Sequence, residues 1–316
     1  SPARRAASGR PPQVSGATVS PIVDLTGKRG LIIGIANERS IAAGCARSFH
    51  QAGATLAASH LNEKALPHVR AVTEPLGIDL LEPCDVLKEG ELDALFDKIA
   101  ARWGKLDFLL HSIAYAQRED LHGRLTDCSA EGYALAMEVS SHSFARMARL
   151  AEPLMAEGGS LLTVTFFGSV RVVDEYGMMG PVKAALESTA RYLAAELGPK
   201  GIRVNALSPG PIATRAASGI ANLDTMMEKA LAEAPLKRLC NIEDVGPLAA
   251  FLASGTLAGL GLSMMMTGVG TQMAAKGFEL IKVGLEAIDR TIIQGLAADI
   301  GLMASNSILA AISLPL

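Results

Sequence analysis

The chain has 316 residues, a formal net charge of −3, and 49% apolar but only 4% aromatic side chains. This length admits one large α/β domain with extensions, or two small domains, and the aliphatic composition favours parallel strands covered by helices. The small net charge argues against a nucleic-acid partner. The four cysteines include no C-x-x-C pair, which predicts reduced thiols. The histidines lack the spacing of metal ligands, so no metal site is predicted.

Residues 1–23 form the first predicted segment. They contain Arg4, Arg5 and Arg10, no acidic residue, and many Ala, Ser and Pro. Such a composition buries little apolar surface and predicts a flexible extension. It also fits an organelle transit peptide or a plain linker. We therefore expect a cytoplasmic protein, with an organelle matrix (mitochondrion or plastid) as the alternative.

Residues 24–256 alternate short aliphatic runs with segments of helical period. This alternation predicts an α/β fold, a Rossmann-like doubly wound parallel sheet in a single domain, with an added C-terminal helical tail. Ligands in such sheets bind at the carboxyl ends of the strands. The predicted strands cover residues 30–34, 55–59, 80–86, 106–113, 160–166 and 202–207, and the predicted helices cover 41–51, 63–73, 91–102, 131–156 and 182–197.

The loop after the first strand has the features of a phosphate site. Gly34 leaves the strand, Ser40 stands where the next helix begins, and Gly44 follows in its first turns. Free N–H groups at a helix start that is capped by Ser40 can cradle a pyrophosphate. The alternative is an ordinary capped helix in which Gly44 allows close packing.

The ends of the next three strands suggest how an adenosine group would be held. The second strand ends at Ser59-His60-Leu61, with neither an acidic residue for a ribose hydroxyl nor an arginine for a 2′-phosphate. Since nothing strongly cationic is placed for that phosphate, NADH is favoured and NADPH is disfavoured. Asp85 can accept a hydrogen bond from an adenine amino group, and the small residues Ser112 and Ala114 let a cofactor lie against the backbone.

Tyr176 and Lys183 are the candidate catalytic pair. Seven residues make about two helical turns, so both side chains lie on one face wherever the segment is helical. Tyr176 can donate a hydrogen bond to an oxygen that gains negative charge, while Lys183 holds a sugar hydroxyl and lowers the pKa of the phenol. Pro181 has no N–H, which predicts that the helix starts only a few residues earlier and leaves Tyr176 at its mouth.

Several motifs occur together in one order. They are Gly34-x5-Ser40-Ile41-Ala42, Cys84-Asp85-Val86, His111-Ser112-Ile113-Ala114, Tyr176-x6-Lys183, the segment from Ser208 to Gly219, and Ile242-Glu243-Asp244-Val245-Gly246 ahead of a predicted apolar helix at 248–254. Together they resemble the enoyl-acyl-carrier-protein reductases, a divergent branch of the short-chain dehydrogenase/reductases. Ordinary members of that superfamily have Tyr-x3-Lys, so the longer spacing is the discriminating mark.

The resemblance implies NADH-dependent reduction of trans-2-enoyl thioesters, carried by acyl carrier protein or coenzyme A, in fatty-acid synthesis. Tyr176 would hydrogen-bond the thioester carbonyl, as an oxyanion hole does. Phe166 would pack on the acyl chain, Met226 would belong to a lid over residues 212–234, and Ala114 is assigned to the same substrate site. The implied cofactor contacts are Ser40 and Ile41 at the pyrophosphate, Asp85 and Val86 at the adenine, Ser112 at the adjoining ribose or phosphate, Lys183 at the nicotinamide ribose, and Ile212 and Thr214 at the nicotinamide amide and phosphates.

Residues 221–225 depart from the family pattern. They read Ala-Asn-Leu-Asp-Thr, whereas many relatives carry basic residues there that are thought to meet an acidic carrier protein. Docking of a carrier protein is therefore open to question. One alternative is that the substrates are coenzyme A thioesters. The other is that the chain is a related reductase that acts on another substrate.

The C-terminal segment 257–316 also departs from the family, because the closing Asp-Gly-Gly turn is absent. A helix over 276–303 is predicted, with an apolar stripe that needs a covering surface. Packing on its own domain or on another subunit is expected, so a homo-oligomer or larger assembly is predicted and a membrane is not. The tail also keeps open a catalytically retired reductase that serves as a structural subunit. The stripe consists of Ile281, Leu285, Ile288 and Ile292.

Overall fold

The computed structural model describes residues 23–215, 217–219 and 222–255. The predicted extension before residue 23, the tail over 257–316 and its helix at 276–303 lie outside these residues. Within the described part, no helix has the length and apolarity that crossing a membrane requires.

Six strands form a single parallel sheet. They are β1 (Arg29–Ile33), β2 (Thr55–His60), β3 (Leu80–Pro83), β4 (Phe108–His111), β5 (Gly159–Val164) and β6 (Ile202–Leu207). Their order is β3-β2-β1-β4-β5-β6, so the chain returns from the β3 edge to place β4 beside β1. The predicted doubly wound parallel sheet is confirmed. A crevice for a ligand is expected where the strand order reverses, outside the carboxyl ends of β1 and β4.

The helices that follow the strands cover both faces of this sheet. Alternate residues of a strand point to opposite faces, and accordingly Ile32 packs with Phe49 while Leu31 and Ile33 pack with Phe144. The α-helices within the described residues are α1 (Ile41–Gln51), α2 (Leu66–Thr73), α3 (Glu91–Trp103), α4 (Arg118–Leu121), α5 (Ala130–Met137), α6 (Ser143–Ala151), α7 (Met179–Leu197), α8 (Leu223–Glu233) and α9 (Ile242–Ala253).

The helix predicted over 131–156 is interrupted in the structure. One π-helical turn, Glu138–His142, separates α5 from α6. Beyond α6 a 3-10 turn, Glu152–Leu154, contains a proline whose missing N–H cannot continue the α-helical hydrogen bonds. A π-helical turn inserts a residue into the helical period, and such turns are frequent at functional sites.

The helix predicted over 248–254 begins earlier, at Ile242. Asn241 caps it, because its side chain accepts from the Asp244 N–H while the Asp244 carboxylate accepts from the Asn241 N–H. The helix then lies against α1 in backbone contact: a Cβ on Gly44 would lie 2.5 Å from the Ile242 carbonyl oxygen, and one on Gly246 would lie 2.6 Å from the Gly44 carbonyl oxygen. Gly44 thus has the close-packing role that the alternative interpretation gave it, and this contact holds α1 against α9.

Candidate active site

The connection from β1 to α1 passes very close to the end of β4. Gly34 has a φ of 116°, which favours glycine, and a Cβ there would overlap the carbonyl oxygen of Ser112. The Ser112 N–H in turn donates to the Ile33 carbonyl oxygen at 2.8 Å. Two of the predicted cofactor residues, Gly34 and Ser112, are therefore brought together where the strand order reverses.

Ser40 caps α1 as the sequence predicts. Its Oγ accepts from the Ala43 N–H at 3.3 Å and donates to the Asn37 carbonyl oxygen at 2.7 Å. The N–H groups of Ile41 and Ala42 precede the first hydrogen bond of the helix, at its positively polarised end. A pyrophosphate needs such donors and a backbone that can approach it closely, so the Gly34–Ser40 junction fits the phosphates of a dinucleotide.

The end of β3 is occupied by a tight turn. The Asp85 N–H donates to Glu91 Oε2 at 2.7 Å, and Asp85 Oδ1 accepts from the Leu87 N–H at 3.0 Å. Val86 is buried, and its carbonyl oxygen accepts from Arg146 at 2.8 Å. These bonds fix the turn at the carboxyl edge of the sheet, whereas the contacts of Asp85 and Val86 with adenine stay a prediction.

A cavity of about 660 Å³ lies beside the β1–α1 loop. Its lining includes Asn37, Arg39, His68 of α2, and Thr214 from the segment after β6. β6 lies at one edge of the sheet, whereas α2 leads from β2 to β3 at the other edge, so this segment crosses the carboxyl ends of the strands and places Thr214 near the phosphate loop. Ile212, just before it, packs against the apolar cluster around β1 and α1.

Tyr176 lies before α7 and not on it, because the helix begins at Met179. On either side of Tyr176, Glu175 and Gly177 have left-handed φ angles of 63° and 50°. The expectation that Tyr176 and Lys183 share one helical face therefore does not apply, since only Lys183 is helical. The expectation that Tyr176 stands at the mouth of the helix is confirmed.

The Tyr176 ring is held in an apolar wall. It is 7% exposed, and its centroid lies 4.8 Å from that of Phe166 at an angle of 58°. A Cβ on Gly168 would overlap the same ring. Burial, followed by the charge of Glu187, raises the pKa of Tyr176 above its usual range. The expected lowering of this pKa by Lys183 is therefore wrong, and the phenol keeps its proton at neutral pH.

Lys183 lies on α7 and is buried against the carboxyl end of β5. Its side chain is 6% exposed, and its Nζ donates to the Val164 carbonyl oxygen at 2.7 Å. Burial lowers the pKa of Lys183 to about 8, while the charge of Glu187 acts in the opposite direction. An ammonium group has three donors, so the one used by Val164 leaves others for a sugar hydroxyl.

His111 forms a buried hydrogen-bond network that the sequence did not reveal. Its Nδ1 lies 2.8 Å from Thr163 Oγ1, its Nε2 lies 2.9 Å from Ser143 Oγ, and Ser143 Oγ donates to the Val139 carbonyl oxygen at 2.7 Å. Because the hydroxyl proton of Ser143 is used in this way, Nε2 donates and Nδ1 accepts. Burial, followed by the charge of Lys183, lowers the pKa of His111 to about 3. The network joins β4, β5 and the π-helical turn.

The predicted substrate residues occupy different positions. Phe166 lies against Tyr176, whereas Ala114 is exposed after β4 and Met226 is half-buried on α8. The apolar cluster around Tyr176 also includes Leu121 and Met137, which the sequence did not single out. Both come from segments after β4 whose periodicity carries no sign of a substrate site.

A parallel sheet, a glycine–helix junction at its carboxyl edge and a buried tyrosine preceding a buried lysine define an oxidoreductase of the short-chain dehydrogenase/reductase type. A family model described as enoyl-(acyl carrier protein) reductase matches residues 34–281. The chain therefore belongs to the enoyl-(acyl-carrier-protein) reductase family.

Individual relatives agree with this assignment. The enoyl-acyl-carrier-protein reductase (NADH) FabI of Synechocystis is 48% identical over 242 residues, which are 76% of this chain and 94% of the relative. A crystal structure of the reductase from Anaplasma phagocytophilum in complex with NAD has 41% identity and a TM-score of 0.70, covering 73% of this chain and 88% of that one. The Bacillus cereus reductase with NADP+ and indole naphthyridinone has 42% identity and a TM-score of 0.72, covering 74% and 92%.

Proposed function

We propose that this chain reduces the carbon–carbon double bond of trans-2-enoyl thioesters with NADH, and that Tyr176 and Lys183 are its catalytic residues. The observation that carries the proposal is the buried, protonated phenol of Tyr176, held beside Phe166 at the mouth of α7. The relatives named as NADH-dependent enoyl reductases support the substrate class and the cofactor. They give no support to the alternative of a retired structural subunit.

The residues at the carboxyl edge would hold the dinucleotide. The backbone beside Gly34 and the start of α1 at Ser40 and Ile41 would take the pyrophosphate. Lys183 would donate to the nicotinamide ribose from its position beside Val164. When bound, the reduced nicotinamide supplies the hydride that adds to the β-carbon of the enoyl group.

Tyr176 would act on the charge that this addition creates. Addition at the β-carbon moves negative charge to the thioester oxygen, and a hydrogen bond from the phenol stabilises that charge. Because burial raises the pKa of Tyr176, the phenol can donate this bond while keeping its own proton. The enolate is then protonated at the α-carbon, so the site needs no strong base.

The form of the thioester is a finer part of the proposal. The relatives' names specify acyl carrier protein. In this chain, however, two cationic side chains near the predicted lid form ion pairs with carboxylates of the same chain. Lys229 lies 3.0 Å from Asp174, and Arg238 lies 2.6 Å from Asp244. We infer that the acyl group is recognised more strongly than the carrier. Comparing kcat/KM for crotonyl-acyl-carrier-protein and crotonyl-coenzyme A measures this difference.

Substitution of Tyr176 by Phe tests the catalytic role. Turnover should fall at least about tenfold, because only the developing oxyanion loses a donor. NADH affinity, measured by fluorescence titration, should change little. Tyr192→Phe is the matched control, because Tyr192 lies on α7 with 77% of its surface exposed. Normal turnover of Tyr176→Phe with crotonyl-coenzyme A would refute the assignment.

Assembly and location stay predictions. A homo-oligomer is proposed from the apolar stripe predicted in the tail, and light scattering on the purified full chain measures its mass. The cytoplasm is the proposed location, with an organelle matrix as the alternative. Imaging of the tagged full-length protein distinguishes the two.

A further inference from the structure

Glu187 lies on α7 one turn after Lys183 and accepts two hydrogen bonds from the neighbouring loop. Thr165 Oγ1 donates to Glu187 Oε1 at 2.7 Å, and Ser169 Oγ donates to the same oxygen at 2.5 Å. Thr165 directly follows β5, and Ser169 ends the 3-10 turn after it. One carboxylate oxygen therefore holds both ends of a five-residue loop, residues 165–169.

The loop held in this way forms one wall of the Tyr176 site. Phe166 packs its ring 4.8 Å from the ring of Tyr176, and Gly168 lies so close that a Cβ would overlap it. The residue before the loop, Val164, accepts the hydrogen bond from Lys183. Any movement of residues 165–169 would thus change the surroundings of both Tyr176 and Lys183.

We propose that Glu187 is a positioning residue for enoyl reduction, whose carboxylate fixes loop 165–169 and thereby the position of the Tyr176 ring. The inference rests on the proposed catalytic role of Tyr176. Hydrogen bonds to an ionised carboxylate are stronger than those between neutral groups. Because one carboxylate oxygen of Glu187 accepts two of them, the loop is firmly attached to α7, whose preceding turn carries Lys183.

The charge of Glu187 acts in the same direction as its hydrogen bonds. It raises the pKa of Lys183 against the effect of burial, and it raises the pKa of Tyr176 further. Both effects favour the protonated forms, which are the ones that donate. The charge of Lys183 in turn acts on His111 of β4: burial, followed by that charge, lowers the pKa of His111 to about 3, so the imidazole is neutral at neutral pH.

The test compares Glu187→Ala with Glu187→Gln in the full chain. Glutamine keeps an oxygen that can accept from Thr165 and Ser169, whereas alanine does not. Glu187→Ala should lower kcat at least about tenfold, since small errors in position cost large factors in rate. NADH affinity, measured well below the pKa of about 8 of Lys183 so that this residue stays protonated, should stay within about twofold. Glu187→Gln should recover kcat to within about threefold of the original chain.

Two controls make every outcome informative. Glu196→Gln removes an exposed carboxylate from the same helix and should change nothing. If Glu187→Ala does not fold, the double change Thr165→Val with Ser169→Ala removes the same two hydrogen bonds and should give the same loss of kcat. An unchanged kcat in the folded variant that lacks these bonds overturns the inference. So does a loss that Glu187→Gln does not recover.

Different results would refute the positioning role of Glu187 and the proposed enoyl reduction. If Tyr176→Phe is impaired while Glu187→Ala turns over normally, only the role of Glu187 is refuted. If the original chain does not oxidise NADH with crotonyl-coenzyme A or with crotonyl-acyl-carrier-protein, the proposed function itself fails.

Discussion

Replacing His111 with Gln should make stability less sensitive to acid. The pKa of His111 is about 3 in the folded protein, against an ordinary value of 6.5. Below pH 6.5 the unfolded chain binds a proton that the folded chain does not, so this residue lowers the free energy of unfolding progressively from pH 6.5 down to about 3. Between pH about 6 and about 4.5 the loss amounts to about 2 kcal/mol.

The glutamine side chain does not titrate, and its amide can still bond to Ser143 or Thr163. We therefore expect His111→Gln to be less stable near neutral pH, but to lose about 2 kcal/mol less between pH about 6 and about 4.5. Urea unfolding followed by circular dichroism at both pH values measures the difference. His50→Gln, the same exchange at an exposed position of α1, should follow the original chain. Equal pH dependence in the original chain and His111→Gln would show that the buried imidazole is not held neutral.

Two other changes test the cofactor side of the site and the helix contact. Lys183→Met should weaken NADH binding at least about tenfold in a fluorescence titration. The original chain should lose affinity for NADH as pH rises through about 8, where Lys183 loses its proton, and affinity unchanged across this range would contradict that role. Gly44→Ala should destabilise the fold by roughly 1–3 kcal/mol in urea unfolding, because its methyl group meets the backbone of α9. Gly255→Ala has open space around the new methyl group and serves as its control. Equal stability of both variants would mean that α9 can move away without cost.

The sequence determined the layers of the fold and the order of its elements. Each strand of the sheet overlaps an aliphatic run, and Ser40 and Gly44 have the roles that their residue types suggested. These features are readable because strand and helix periods, caps and close-packing glycines depend on neighbouring residues. The enzymatic activity was predicted from a different feature of the sequence. This feature is the set of ordered motifs around Tyr176-x6-Lys183, which resemble one family.

The tertiary structure decided the chemistry of the individual groups. The raised pKa of Tyr176 and the lowered pKa of Lys183 follow from burial, which no spacing along the chain expresses. The bonds from Thr165 to Glu187 and from His111 to Ser143 join residues 22 and 32 positions apart. A π-helical turn likewise leaves no mark in a periodicity of 3.6 residues. Local pattern specifies where the backbone goes, but the state of a side chain depends on which distant groups exclude water from it and accept its hydrogen bonds.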